Sequence, residues 1–218
     1  MRSLIQRLAI GVFVLAFAHT AAAQTADEII EKSITAQGGR AAFQKIKTRT
    51  LIKVDLTSLG AGPMQIDQRF DGATGYVLDS MQGDRPISGN QLDNMKNGAF
   101  PNPFLTYKAS GASASVAGKE KMDGRDAFVV VFEPTAGSPI RSYIDAETYM
   151  PIATRVKTTL PQVGEVEQTS HTSDYRDVDG VKIPFKIEVS SAIQTFTIVV
   201  NKVEHNTAID DKLFVKPQ

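Results

Sequence analysis

The chain has 218 residues, with 24 basic and 24 acidic side chains and no cysteine or tryptophan. This charge balance lacks the basic footprint expected of a nucleic-acid partner or of a protein drawn to an anionic membrane surface. Without cysteine there is no disulfide and no thiol nucleophile, so the core has to hold without covalent staples.

Arg2 and Arg7 precede an apolar run from Leu8 to Ala18, and Ala21 and Ala23 follow with the spacing of an A-x-A cleavage site. A positive start, a short apolar core and small residues before the cut are the features of a secretory signal. The run falls short of the roughly 20 apolar residues that span a bilayer. Residues 1–23 are therefore expected to be a signal peptide cut after Ala23. The product, residues 24–218, is expected to be a single soluble domain in the periplasm. Losing Arg2 and Arg7 leaves 22 basic residues against 24 acidic ones.

Thr25-Ala26-Asp27-Glu28 has the form of a capping box. Ile29, Ile30 and Ile34 then give one apolar face to a helix reaching about Gln37. Gly38-Gly39 stops it, since glycine takes the left-handed conformation at little cost. A shorter helix over 40–46 carries Ala42, Phe43 and Ile46. From Thr48 the period changes to two. Ile52, Val54 and Leu56 alternate with polar neighbours, and so do Met64, Ile66 and Phe70. The same holds for Ile183, Phe185, Ile187 and Val189, and for Phe196, Ile198 and Val200. Runs of this kind are half-buried antiparallel strands. Residues 127–132 are apolar on both faces and predict a strand covered twice. Asp123-Gly124 and Asp179-Gly180 mark hairpins with type I′ turns. Pro151 and Pro184 are expected at strand starts or edges. The pattern predicts about ten strands after one N-terminal helical region. Residues 87–112 read as a loop with a helical turn, and they carry Leu92, Met95, Phe100, Phe104, Leu105 and Tyr107.

Chemistry-bearing residues are sparse. Glu165, Glu167 and His171 share a strand face, but residues four apart on a strand lie about 13 Å apart, too far to share one metal ion. His171 and Asp174 point to opposite faces, which defeats a triad with Ser170 or Ser173. The reading therefore predicts no catalytic residue, no metal and no cofactor. An acid–base pair assembled from distant strands stays open as an alternative, an envelope hydrolase with a site on the polar rim. An interaction module with a filled core is a second alternative. One-sided strands fit a filled core and a hydrophobic cavity alike, and pattern alone favours the filled core.

Several segments carry a family resemblance: GGRAAFQKI at 38–46, GKEKMDGRDA at 118–127, YIDAETYMP at 143–151, SDYRDVDGVKIPF at 173–185 and DDKLFVKP at 210–217. In this order and spacing the chain resembles the outer-membrane lipoprotein-sorting family, the LolA/LolB-like proteins. The resemblance implies an incomplete antiparallel β-barrel with a helical lid, whose interior carries lipid or lipoprotein acyl chains through the periplasm. It also implies donor and acceptor proteins at the membranes, and no enzymatic activity. On this reading the apolar wall is Ile52, Val54, Leu56, Phe70, Phe128, Val130, Phe132, Ile183, Phe185, Ile187, Phe196 and Ile198. The lid is Leu92, Met95, Phe100, Phe104 and Tyr107.

Overall fold

The structure is a computed structural model that describes residues 24–58, 66–70, 73–79, 83–99, 102–160, 163–210 and 212. For residues 50–58, 66–68, 78–79 and 160 only the backbone is described. The expected signal peptide at 1–23 lies outside the described residues, as do Met64 and Phe100. No helix among the described residues is long and apolar enough to cross a membrane.

Two helices open the described chain, α1 (Ala26–Ala36) and α2 (Arg40–Lys45). The capping box is complete: the Glu28 amide donates to Thr25 Oγ1 (3.3 Å) and the Thr25 amide to Glu28 Oε2 (3.0 Å). Gly38 (φ 120°) and Gly39 (φ 85°) end α1, and the Gly39 amide donates to the Ile34 carbonyl (2.9 Å). Four strands follow: β1 (Arg49–Ser58), β2 (Ile66–Phe70), β3 (Gly75–Asp79) and β4 (Arg85–Ile87). Next come α3 (Gly89–Gly98) and a 3₁₀ turn at Pro103–Leu105. The rest is strand: β5 (Ser113–Met122), β6 (Arg125–Glu133), β7 (Ile140–Asp145), β8 (Pro151–Leu160), β9 (Gly164–Val178), β10 (Val181–Ser191) and β11 (Thr195–His205).

The architecture is mostly antiparallel β, as the period-two runs predict. Eight strands form one sheet in the order β1-β11-β10-β9-β8-β7-β6-β5, and β2-β3-β4 form a second. The larger sheet is not closed: β1 and β5 are its two ends. Both Asp-Gly turns have positive φ at both positions, 51° and 78° at Asp123-Gly124 and 53° and 80° at Asp179-Gly180. That is the requirement of a type I′ turn, whose twist matches the strands it joins. Pro151 starts β8, but Pro184 lies inside β10. There it pairs with Tyr175 of β9 and precedes the 186–190 stretch that pairs with β11.

The core sits on one face of the large sheet. Ile29, Ile30 and Ile34 of α1, at most 1% exposed, pack with Phe43, Phe128, Val130, Phe132, Ile144, Val181, Ile183 and Phe185. This face is called the inner face below. β6 is covered twice, as its composition predicts. Ala127 and Val129 turn to the outer face, fully buried, and join Met122, Tyr143, Ile152 and Ala153 in a second cluster. Polar side chains cover that cluster. Tyr143 Oη donates to Glu120 (3.3 Å), and the Arg155 guanidinium lies 5.4 Å from the Tyr143 ring centre.

One polar group in the β7–β8 turn helps to hold this layout. Asp145 is 4% exposed, and its Oδ1 accepts from the amides of Glu147 (3.0 Å) and Thr148 (2.8 Å). Burial pushes this carboxyl up, but the Thr148 and Glu147 amides outweigh it, so it stays below the usual carboxylate range. The folded state therefore favours the ionised form. That contribution is complete above the unfolded value of about 3.9 and is lost as pH falls through the lower folded value. Asp145→Ala is expected to cost about 1–3 kcal/mol at pH 7, because the amides of Glu147 and Thr148 lose the carboxylate that accepts from both. Urea unfolding at several pH values checks this, and the gap between wild type and variant should narrow below about pH 4.

Candidate functional site

The inner face changes character along its strands. Where α1 and α2 cover it, Ile183, Phe185 and Val200 are buried. Further along the same two strands, Ile187, Phe196 and Ile198 are only half-buried. They share one face, since Ile187 pairs with Ile198 and Val189 with Phe196 across β10 and β11. Val189 between them is buried. β1 continues the face in register: Val54 opposes Val200, Leu56 opposes Ile198 and Ser58 opposes Phe196. Cationic side chains lie over two of the inner aromatic rings, Lys119 Nζ at 4.5 Å from Phe128 and Arg176 at 4.3 Å from Phe185.

The twelve expected wall residues thus fall into distinct groups. Phe128, Val130, Phe132, Ile183 and Phe185 are packed core. Ile187, Phe196, Ile198 and Phe70 are half-buried, Phe70 on the separate small sheet. Ile52, Val54 and Leu56 lie on β1, where the side chains are outside the described structure. The expected lid residues also divide. Leu92 and Met95 are half-buried on α3. Phe104 is half-buried and meets Phe132 and Tyr107 edge-on, at 5.7 and 6.4 Å between ring centres.

Tyr107 is 7% exposed and belongs to the main core. Its hydroxyl donates to Asp27, whose other oxygen accepts from Lys108 (2.6 Å). Burial, and then the bond to Asp27, push the Tyr107 phenol up to about 12. The 3₁₀ turn is fixed from below by Arg40, which donates to the Leu105 carbonyl (2.8 Å) and is paired with Glu31. α3 is held by asparagines. Asn97 donates to the Ala136 carbonyl (2.8 Å), Asn94 donates to the Lys157 carbonyl (3.2 Å), and Asn94 Oδ1 accepts from the Ser138 amide (2.8 Å).

Among the clefts on the described surface, two lie near residues discussed above. The larger, about 580 Å³, lies over Met150 and Ile152 and is rimmed by Arg125, Asp174, Tyr175 and Lys182. The smaller, about 220 Å³, has core residues Phe43 and Ile183 in its lining, with Arg49, Lys182, Asn102 and Pro103 around them. Arg49 Nε donates to His205 Nε2 (3.2 Å), and His205 Nδ1 lies 3.0 Å from Asp179 Oδ2. An imidazole that accepts at Nε2 carries its proton on Nδ1, which then donates to the carboxylate. The His205 side chain is fully buried, whereas Asp179 is largely exposed. Burial lowers the Arg49 guanidinium to about 10, so it is still a cation at neutral pH. Sequence reading missed this chain of contacts, because Arg49 and His205 stand 156 positions apart and meet only through the β1–β11 register.

The polar residues weighed for hydrolysis are occupied in other ways. His171 Nδ1 contacts Asp123 (2.9 Å) across the sheet, and Asp174 is paired with Arg176 (2.6 Å). Glu165 and Glu167 face Lys157 (2.9 Å) and Arg155 (3.5 Å). Among the described residues no three His, Asp or Glu side chains converge as metal ligands.

No protein-family model matches the chain, and no curated protein matches it. Solved structures do. An outer-membrane lipoprotein-sorting protein domain from Vibrio parahaemolyticus is 12% identical with a TM-score of 0.49; the match covers 86% of this chain and 95% of that one. A LolA superfamily protein from Nitrosomonas europaea is 13% identical with a TM-score of 0.53, covering 89% of this chain and 99% of that one. At such identity the second likeness speaks for backbone architecture alone, and on that ground the chain has a LolA-like fold: an open antiparallel sheet with helices on its inner face.

Proposed function

We propose that the protein is a periplasmic carrier of lipid or lipoprotein acyl chains and not an enzyme. The observation that carries this reading is the half-buried end of the inner face. Ile187, Phe196 and Ile198 stay half-buried although they continue the face that α1 fills next to them. An apolar face left partly open in a soluble domain is the usual mark of a binding surface. The LolA-like fold and the signal-like residues 1–23 support the same reading.

Its energetics are simple. Taking an acyl chain through water costs about 0.8 kcal/mol per CH₂, so a lipid crossing an aqueous compartment needs a cover. A carrier must also release its cargo, which favours broad, adaptable walls over a fitted pocket. Helix α3 would be the movable part of the cover, with the Pro103–Leu105 turn, Tyr107 and Arg40 as its fixed base. Leu92 and Met95 ride on a helix tied down by asparagine hydrogen bonds, and such contacts exchange readily with water. The mature domain would span residues 24–218, with membrane-bound donor and acceptor proteins as its partners.

Protein purified from its membrane fraction without detergent is expected to retain lipid in native mass spectrometry. After delipidation it should take up a fluorescent fatty acid. Empty protein that also fails to bind the fatty acid would overturn the proposal.

A further inference from the structure

We propose that Asn97 is a site of spontaneous deamidation, and that its conversion to aspartate or isoaspartate unfastens α3 from the β6–β7 turn. The modification stands apart from the carrier reading; its effect on cargo rests on that reading, in which α3 is the movable part of the cover. Asn97-Gly98 is the only Asn-Gly pair in the chain. A glycine after asparagine puts no Cβ beside the next backbone nitrogen and lets the chain turn until that nitrogen meets the side-chain carbonyl. Gly98 is the last residue of α3, is exposed, and has nothing within 4 Å of its Cβ position. The next amide, that of Ala99, turns back to the Lys96 carbonyl (3.3 Å), an i→i+3 bond in place of the α-helical one. The helix has no buried residue, and its N-cap, Ser88, makes no side-chain hydrogen bond. Helical backbone holds an asparagine away from the following nitrogen, so the reaction runs from the frayed last turn, and a helix this short frays readily.

The chemistry needs only water. The Gly98 nitrogen attacks Asn97 Cγ and loses its proton to solvent. The Cγ–Nδ2 bond breaks, and ammonia leaves with a proton from solvent. Water then opens the succinimide at either carbonyl and gives aspartate or isoaspartate. Water is consumed and ammonium released, with no oxidant, metal or second protein.

The product no longer fits its place. Asn97 Nδ2 donates to the Ala136 carbonyl (2.8 Å) and lies flush with the turn, since a Cβ at Gly137 would lie 2.7 Å from it. A carboxylate has no hydrogen to donate, so the same contact would set a negative oxygen against a carbonyl oxygen. The new charge stands in the last turn of a helix, where the macrodipole disfavours an anion, and four residues after Asp93, a like charge on the same helix face. Asn94 keeps its bonds to the Ser138 amide (2.8 Å) and the Lys157 carbonyl (3.2 Å), so α3 is loosened and not lost.

The test holds the mature protein at mildly alkaline pH and follows every asparagine by peptide mass mapping. Asn97 is expected to convert before any other. Gly98→Ala should slow it, because the added Cβ hinders the attack and has room in the folded helix. Asn97→Asp reads the consequence without waiting for the reaction. Amide exchange over α3 should speed up about fivefold, the scale of one lost hydrogen bond, while the strands keep wild-type protection. Bound fluorescent fatty acid should then leave this variant faster than wild type. Conversion of another asparagine ahead of Asn97, or an unchanged rate in Gly98→Ala, overturns the site. Wild-type exchange over α3 in Asn97→Asp overturns the unfastening. Faster α3 exchange with unchanged fatty-acid release upholds both and removes α3 from the cover, a failure of that part of the carrier reading alone.

Discussion

Gly38→Ala is expected to remove more than about 3 kcal/mol of stability, enough to leave a marginal domain largely unfolded. Gly38 has φ 120°, a region that side chains of L-residues rarely enter. A Cβ placed there would lie 2.0 Å from the carbonyl oxygen of Gly180 and 3.0 Å from its carbonyl carbon. Both are backbone atoms, so no rotamer change relieves the clash. The contact is tight because α1 is joined to the β9–β10 turn at this point: the Lys182 amide donates to the Gln37 carbonyl (2.9 Å). Gly39→Ala is the control. Gly39 also has positive φ, 85°, but nothing lies within 4 Å of its Cβ position. It should cost only the backbone strain of about 1–2 kcal/mol. Urea unfolding of the two variants separates clash from strain. Equal losses would show that the close approach to Gly180 is not what matters.

This junction also shows where the sequence is informative. The stop at Gly38-Gly39, the capping box at Thr25 and the two Asp-Gly turns are local chemistry within four residues, so they can be read directly. The strands are legible because their period is two wherever one face is buried. α3 is less so. Residues 89–98, GNQLDNMKNG, are poor helix formers, and their sequence suggests only a turn at Leu92 and Met95. The ten-residue helix is held by Asn94 and Asn97, whose partners Ala136, Ser138 and Lys157 are remote in sequence. The short strands β3 and β4 are hidden for a similar reason, since three to five residues carry too little periodicity. In the candidate site, alternation identifies the inner face but not how much of it is covered. Ile183 and Ile187 occupy equivalent places in the same pattern, yet one is buried and the other half-buried. Ile183 belongs to the cluster that holds the α1 and α2 residues, and Ile187 does not.

That division leads to the second large effect. Ile30→Ala is expected to cost about 2–5 kcal/mol, the range for deleting a buried aliphatic side chain and leaving a cavity. Ile30 is 1% exposed, on a helix face packed against β6 and β10 residues, and the hydrogen bond from the Lys182 amide to the Gln37 carbonyl (2.9 Å) limits how far α1 can settle into the void. Ile187→Ala, on the half-buried end of the same face, removes a similar side chain that is already partly in water. Its cost should stay below about 1.5 kcal/mol, because less area is lost and no enclosed cavity forms. The two variants should exchange rank when acyl binding is measured in place of stability. Ile187→Ala should weaken fatty-acid uptake, and Ile30→Ala should leave the affinity of its folded fraction near that of wild type. Thermal unfolding together with fluorescent fatty-acid titration at a temperature where both variants are folded makes the comparison. If Ile187→Ala binds as well as wild type, or destabilises as much as Ile30→Ala, the half-buried end of the inner face is ordinary core and the acyl chain has to lie elsewhere.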